Sequence, residues 1–140
     1  MLVKDIMKTK LVTVDVNDTV RDACNKYRDH TVGCLIVTGR EQIAGIITER
    51  DVIKRIICMD KDPNTTLIKE IMSTNIITVD SYARIEKALE IMKNNKLKKL
   101  PVVTNNKLVG IITITDIAYT RPSIRKFLEI KEEKVSTTPF

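Results

Sequence analysis

Several residue types are scarce in this chain, and each shortage closes off a class of function. Its 140 residues include no tryptophan, and aromatic side chains make up only 4%. A core must therefore be built from Ile, Val and Leu, and there is no row of aromatic platforms on which single-stranded bases stack. The lone histidine, His30, forms no His/Cys or Ser/His pair, and no G-x-x-x-x-G-K-[ST] loop occurs, so catalysis is not expected. Three cysteines (Cys24, Cys34, Cys58) are an odd number with no C-x-x-C pair, as in reduced proteins of the cytoplasm. His30 lies between two of them, yet zinc takes about four ligands. Cys24 falls on an inward-facing helical stripe beside Ala23, so no metal site is expected. Apolar runs such as Ile43 to Ile47 fall far short of the ~20 residues that cross a bilayer. The opening Met1-Leu2-Val3-Lys4 has no secretory h-region, and a cytoplasmic location is expected.

What is present is a globular balance of 43% hydrophobic and 30% charged residues with a net charge of +6. A basic excess raises the question of nucleic acid, so its distribution matters. Residues 1–68 carry 11 basic and 10 acidic side chains, whereas residues 69–140 carry 13 and 8. No acid occurs between Glu90 and Asp116, where Lys93, Lys96, Lys98, Lys99 and Lys107 fall. No aromatic interrupts these lysines and no helix-turn-helix pattern surrounds them. Nucleic-acid binding is therefore the weaker reading of the charge.

Internal repetition organises the chain. Shifted by 65 positions, residues 4–55 fall on 69–120 without a gap. Lys4-Asp5-Ile6-Met7 meets Lys69-Glu70-Ile71-Met72, and Gly45-Ile46-Ile47-Thr48 meets Gly110-Ile111-Ile112-Thr113, with Asp51 on Asp116. The division that follows is a first repeat over 1–60, a linker over 61–68, a second repeat over 69–120, and a C-terminal helix and tail over 121–140. Each repeat reads as β-α-β-β-α, a mixed α/β fold. In the first, a strand at Leu11–Val14 precedes capping residues Asn17-Asp18-Thr19 and a helix near 19–29. Strands follow at Cys34–Val37 and Ile43–Thr48 around a turn at Gly39-Arg40-Glu41, and a helix near 50–58 closes the unit. Pro101 in the second repeat predicts a strand end at a sheet edge or one with no ladder donor to supply. A last helix is expected from Ser123, with Ile124, Phe127, Leu128 and Lys131 at helical spacing, ahead of a frayed Ser136–Phe140.

The repeated motif has a chemistry of its own. Gly45 and Gly110 stand inside apolar strand-like runs, where glycine marks a bulge or a close backbone approach. Thr48 and Thr113 come where strand gives way to helix, so their hydroxyls either cap the helix or bond a phosphate oxygen. Asp51 and Asp116 fall in the first helical turn. There a carboxylate suits the helix dipole, and it is equally an acceptor-only group suited to ribose hydroxyls.

The I-M-x-T openings at Ile6–Thr9 and Ile71–Thr74, Leu100-Pro101-Val102, and the two G-I-I-T-x-x-D runs resemble the cystathionine-β-synthase (CBS) domain family. The resemblance covers about 52 residues twice. It implies a Bateman module, two β-α-β-β-α repeats packed with pseudo-twofold symmetry, commonly assembled as a homodimer. It also implies that clefts between the repeats bind AMP, ADP, ATP or S-adenosylmethionine, with Asp51 or Asp116 on the ribose and Thr48 or Thr113 near phosphate. The family grips adenine through the first strand and the segment before the middle strand. Those positions here are Leu11, Val12 and Thr13 with Gly33, Cys34 and Leu35, and Ile76, Ile77 and Thr78 with Lys98, Lys99, Leu100 and Pro101. Some members reach phosphate with basic residues at the place of Lys98 and Lys99. Repeat one has Gly33-Cys34 there but carries Arg50 where repeat two has Thr115, so the two sites differ chemically. The function expected is a non-catalytic, nucleotide-sensing regulatory module acting on an unidentified partner protein. The alternatives are a structural dimerisation module with empty clefts and a basic nucleic-acid-binding protein.

Overall fold

A computed structural model describes residues 1–121 as two compact α/β units, and neither is a continuous stretch of sequence. One, here called the Asp51 unit, comprises Lys10–Ile77 with Asn105–Leu108; the other, the Asp116 unit, comprises Met1–Thr9, Thr78–Thr104 and the chain from Val109. The helix expected from Ser123 and the tail to Phe140 lie outside the described residues.

In the Asp51 unit, β1 (Thr13–Asp15), β2 (Cys34–Gly39) and β3 (Gln42–Thr48) lie in that order, with β1 parallel and β3 antiparallel to β2. Helix α2 (Val20–Asp29) begins at Thr19, whose hydroxyl accepts from the Asp22 N–H while the Asp22 carboxylate takes the Thr19 N–H. That reciprocal cap satisfies two donors a helix start leaves unpaired. After β3 come α3 (Glu49–Val52) and a π-turn at Ile53–Ile57, where the Cys58 N–H donates to the Ile53 carbonyl at 2.9 Å. The helix expected near 50–58 is thus α-helical only at its start. Within the wide turn, Ile56 is buried in the core while Arg55 reaches the Ile71 carbonyl.

The Asp116 unit repeats this plan. A short α1 (Val3–Ile6) accompanies β4 (Val79–Asp80), α4 (Ile85–Asn95), β5 (Lys99–Thr104), β6 (Lys107–Thr113) and α5 (Ile114–Thr120), with β5 between β6 and β4. Pro101 sits inside β5, and the missing N–H is accommodated by β4 rather than by an edge position. Pairing with β4 starts at Val79↔Val102, whereas the matching ladder of the Asp51 unit starts at Thr13↔Ile36. Both hairpins turn through two residues at positive φ, Arg40 (52°) and Glu41 (65°), Asn105 (51°) and Asn106 (65°). This is the geometry that matches strand twist, and asparagine tolerates it better than arginine or glutamate. Gly39 is therefore the last residue of β2, paired with Gln42, and not a turn residue.

Each unit is completed by the opening segment of the other repeat. The Ile46↔Ser73 bridge of the Asp51 unit matches Lys8↔Ile111 in the Asp116 unit, and Thr19↔Leu67 matches Leu2↔Arg84. Backbone bonds follow the same rule: Val20 N–H to Thr66 O at 2.9 Å, and Ile85 N–H to Met1 O at 3.2 Å. Apolar side chains travel with these segments. Ile68 and Ile71 join Val14, Leu35, Val37, Ile47 and Ile56 in one core, and Val3 is fully buried in the other unit.

Glycine makes the exchange possible. A Cβ on Gly45 would lie 2.7 Å from both Met72 Sδ and the Ser73 carbonyl oxygen, and one on Gly110 would lie 2.7 Å from Met7 Sδ and 2.8 Å from Lys8 O. Register in the β2–β3 ladder shifts beside Gly45, so both expectations for a strand glycine, bulge and close approach, are met there.

Two predictions follow from the exchange. Gly45→Ala and Gly110→Ala will each destabilise the fold by about 1–3 kcal/mol through overpacking against backbone, read as a lower urea midpoint. Ile68→Ala, in the segment between the repeats, will cost about 2–5 kcal/mol because the side chain belongs to a core. The exposed neighbour Thr65→Ala should stay within about 0.5 kcal/mol. A passive connection at residue 68 would leave both midpoints unchanged.

Candidate functional site

The repeated threonine and aspartate form the same reciprocal cap twice. Thr48 Oγ1 accepts from the Asp51 N–H at 3.1 Å, and the Thr48 N–H donates to Asp51 Oδ2 at 2.9 Å. Thr113 and Asp116 repeat both bonds at 3.1 Å. Capping, one of the two roles open to these residues, is therefore filled, but by only one oxygen of each carboxylate. The other oxygen faces a cation. Asp116 Oδ1 is 3.5 Å from Lys8 Nζ, and Asp51 Oδ1 is 3.9 Å from Arg55 Nε. The aspartate side chains are only 13% and 19% exposed, while Lys8 and Arg55 are mostly in solvent. An ionised carboxylate offers about four acceptor positions. Each Oδ1, held by a fixed helix start and met among the described residues by a long ion-pair contact, keeps acceptor capacity toward an incoming hydroxyl pair.

Strand register determines what stands beside these aspartates. Cys34 opens β2 opposite Thr48, the last residue of β3. The Glu49 N–H donates to the Gly33 carbonyl at 3.1 Å, and the Ile114 N–H makes the matching bond to Lys98 O at 2.8 Å. Thr13 pairs with Ile36 on the neighbouring strand, and Thr78 immediately precedes β4. Thr13, Cys34, Leu35, Thr48, Arg50 and Asp51 thus belong to one unit, and Thr78, Lys98, Lys99, Leu100, Pro101, Thr113 and Asp116 to the other. Their environments differ. Leu35 and Leu100 are fully buried core residues and Pro101 is buried, whereas Arg50, Lys98 and Lys99 are exposed.

Four neighbours were not picked out in the sequence reading. Lys8 reaches Asp116 from the exchanged opening segment, where the Asp51 unit has Ser73; Arg55 reaches Asp51 from the π-turn, where the Asp116 unit has Thr120. Arg55 also donates from Nη1 to the Ile71 carbonyl at 2.6 Å, which ties its guanidinium to the exchanged segment. Glu49 lies over Gly33: its Oε1 is 3.4 Å from the position a Cβ would take. Tyr27 donates its hydroxyl to the Ile47 carbonyl at 2.7 Å. Burial pushes its pKa well above the phenol range, and the nearby Cys34, Cys24, Asp51 and Glu49 add to the shift, so it remains a donor. Burial likewise pushes the Cys24 thiol up, with Arg21 opposing. Among the described residues no three His, Cys, Asp or Glu side chains converge as metal ligands, and no helix is long and apolar enough to cross a membrane.

Comparison with known proteins agrees with this geometry. The family model "CBS domain" matches residues 3–58 and 68–122. The CBS domain-containing protein YhcV of Bacillus subtilis is 32% identical over 121 residues, covering 86% of either chain. The crystal structure of Hypoxic Response Protein I with two coordinated zinc ions superposes with a TM-score of 0.77 at 30% identity, covering 86% of this chain and 98% of that one; a sequence of that name from Mycobacterium tuberculosis is 32% identical over 116 residues, 82% of this chain and 81% of its own. The CBS domain pair of MJ0100, solved with 5′-methylthioadenosine and S-adenosyl-L-methionine, superposes with a TM-score of 0.71 at 27% identity, covering 88% and 97%. Two repeats, each closed by the same threonine–aspartate cap, place the chain in the CBS domain family, whose paired domains are generally regulatory and often bind nucleotides.

Proposed function

We propose that this chain is a non-catalytic sensor that binds an adenosine nucleotide (AMP, ADP or ATP) or S-adenosylmethionine at its two threonine–aspartate pairs and signals occupancy to a regulated protein. The observation that carries the reading is the divided carboxylate: one oxygen of Asp51 and of Asp116 completes the helix cap and the other faces a cation at 3.9 and 3.5 Å. A fixed acceptor of this kind suits a ribose diol, whose two hydroxyls both donate. The MJ0100 domain pair, solved with two adenosyl compounds, supports the choice of ligand class. Thr48 and Thr113 then serve by holding the aspartates in place, with Arg50, Lys98 and Lys99 available to phosphate. Thr13, Cys34 and Leu35, and Thr78, Leu100 and Pro101, supply the backbone and apolar surface for the base.

Signalling requires that ligand interact differently with two arrangements of the protein. A homodimer supplies such arrangements, and the surface we assign to it is the apolar one along and just after the π-turn. Ile53, Ile57 and Met59 are 56%, 63% and 64% exposed there, unusual for large aliphatic side chains so close together. The protein is read as working in the cytoplasm.

Nucleotide binding is checked by thermal unfolding with AMP, ADP, ATP and S-adenosylmethionine at millimolar concentration. A ligand at about 100 times its Kd adds roughly 2.7 kcal/mol, several degrees in Tm. Asp51→Asn and Asp116→Asn each keep an oxygen for the cap and remove the charge, so the double variant should lose the whole shift. No shift with any of the four ligands would sink the reading. For the dimer, Ile53→Asp combined with Ile57→Asp should yield monomers in sedimentation equilibrium; an unchanged mass rejects that surface.

A further inference from the structure

The two candidate sites share a backbone and differ in charge, and the difference sits at equivalent positions. In both units the first residue of the helix after the last strand donates its N–H to the residue before the middle strand: Glu49 to Gly33 at 3.1 Å, Ile114 to Lys98 at 2.8 Å. At this spot the Asp51 unit holds the Glu49 carboxylate over a bare glycine, with Oε1 3.4 Å from where a Cβ would stand. The Asp116 unit holds a lysine beside an isoleucine. One residue on, Cys34 is replaced by Lys99. On the exchanged segment, Ser73 is replaced by Lys8, whose Nζ is 3.5 Å from Asp116 Oδ1.

The cations of the Asp51 unit do not offset this. Arg55 is bonded to the Ile71 carbonyl at 2.6 Å and stands 3.9 Å from Asp51. With Arg50 it balances Glu49 and Asp51, whereas Lys8, Lys98 and Lys99 outnumber Asp116. The nearest acid before Asp116 in the chain is Glu90.

Resting on the reading of the threonine–aspartate pairs as adenosyl sites, we propose that the two select ligands of different charge. The Asp116 site takes an adenosine 5′-phosphate, the more phosphates the better. The Asp51 site takes an adenosyl group with no phosphate and no net negative charge, a 5′-thioether or 5′-sulfonium. One chain thereby reads a phosphorylated and an unphosphorylated adenosyl compound at once.

Calorimetric titration of the whole chain with ATP and with 5′-methylthioadenosine tests the division. Asp116→Asn should weaken ATP by about 10–100-fold, the worth of a charge-assisted contact network, and leave the thioether within about 2-fold. Asp51→Asn should do the reverse. Charge variants at exposed positions test the same point without touching the caps. Lys98→Glu with Lys99→Glu should weaken ATP by at least about 10-fold and spare the thioether, and Glu49→Lys should admit a second equivalent of ATP. If one aspartate variant removes both ligands, or each weakens both alike, or Lys98→Glu with Lys99→Glu leaves ATP unchanged, the division by charge is wrong while the adenosyl reading stands. If the unaltered chain binds neither compound, the adenosyl reading itself falls and the division with it.

Discussion

A close approach at Gly45 and Gly110 is what most of the rest of this molecule depends on. The Met72–Ser73 and Met7–Lys8 segments lie so near Gly45 and Gly110 that a single added carbon would collide with a carbonyl oxygen. Because that space is kept open, the opening segment of each repeat joins the closing strand of the other through Ile46↔Ser73 and Lys8↔Ile111. Neither repeat then owns a complete core. Ile68 and Ile71 fill one and Val3 the other, so residues between and before the repeats carry packing energy that a simple tether would not. A fold assembled this way couples the two halves of the sequence in each unit, at the entropic cost of closing the loops between the bridged positions.

The same arrangement explains why the sites are unlike. The caps at Thr48–Asp51 and Thr113–Asp116 are local, three residues apart, and duplication preserved them bond for bond. What faces the second carboxylate oxygen differs in origin between the units. In one unit it is Arg55 from the same helix continued as a π-turn; in the other it is Lys8, brought in by the exchange. Equivalent positions hold Thr120 and Ser73, so each unit supplies its cation from where the other has none. Divergence could therefore act on charge while the caps stayed fixed.

How much was legible in the sequence follows from this distinction. Periodicity and capping residues located α2 and both hairpins because those features are set by neighbours in the chain. The sixty-five-residue offset exposed the duplication, and the G-I-I-T-x-x-D motif exposed the caps. Gly45 and Gly110 announced a close approach but not what approaches, since Met72 and Met7 lie far from them in sequence. Lys8 was invisible for the same reason: nothing about a lysine two residues after an isoleucine says that it will meet an aspartate more than a hundred positions away; Arg55, four residues after Asp51, had the spacing of a helical ion pair but was not picked out. The π-turn escaped because α- and π-hydrogen bonding differ by one residue, and the choice lies with Ile56 entering the core. Pro101 was informative only in part. It forbade a donor, and the ladder with β4 simply begins one residue later.

These ion pairs also limit how strongly a ligand and the exchanged segments can be linked. On the proposed reading, a ribose on Asp116 Oδ1 and the ammonium of Lys8 draw on one oxygen, so occupancy and the hold on residues 1–9 are thermodynamically linked, each affecting the other by the same factor. Lys8 is 64% exposed, and pairs of that kind contribute about 0–1 kcal/mol, a factor of five at most. Taking an equilibrium from 1:99 to 99:1 needs about 5.5 kcal/mol. The Lys8 contact alone therefore makes a graded response. A ligand phosphate that recruits Lys8, rather than merely displacing it, turns competition into a shared contact and reverses the sign of the linkage. In that arrangement the phosphorylated ligand at Asp116 tightens the hold on the chain's first residues instead of loosening it.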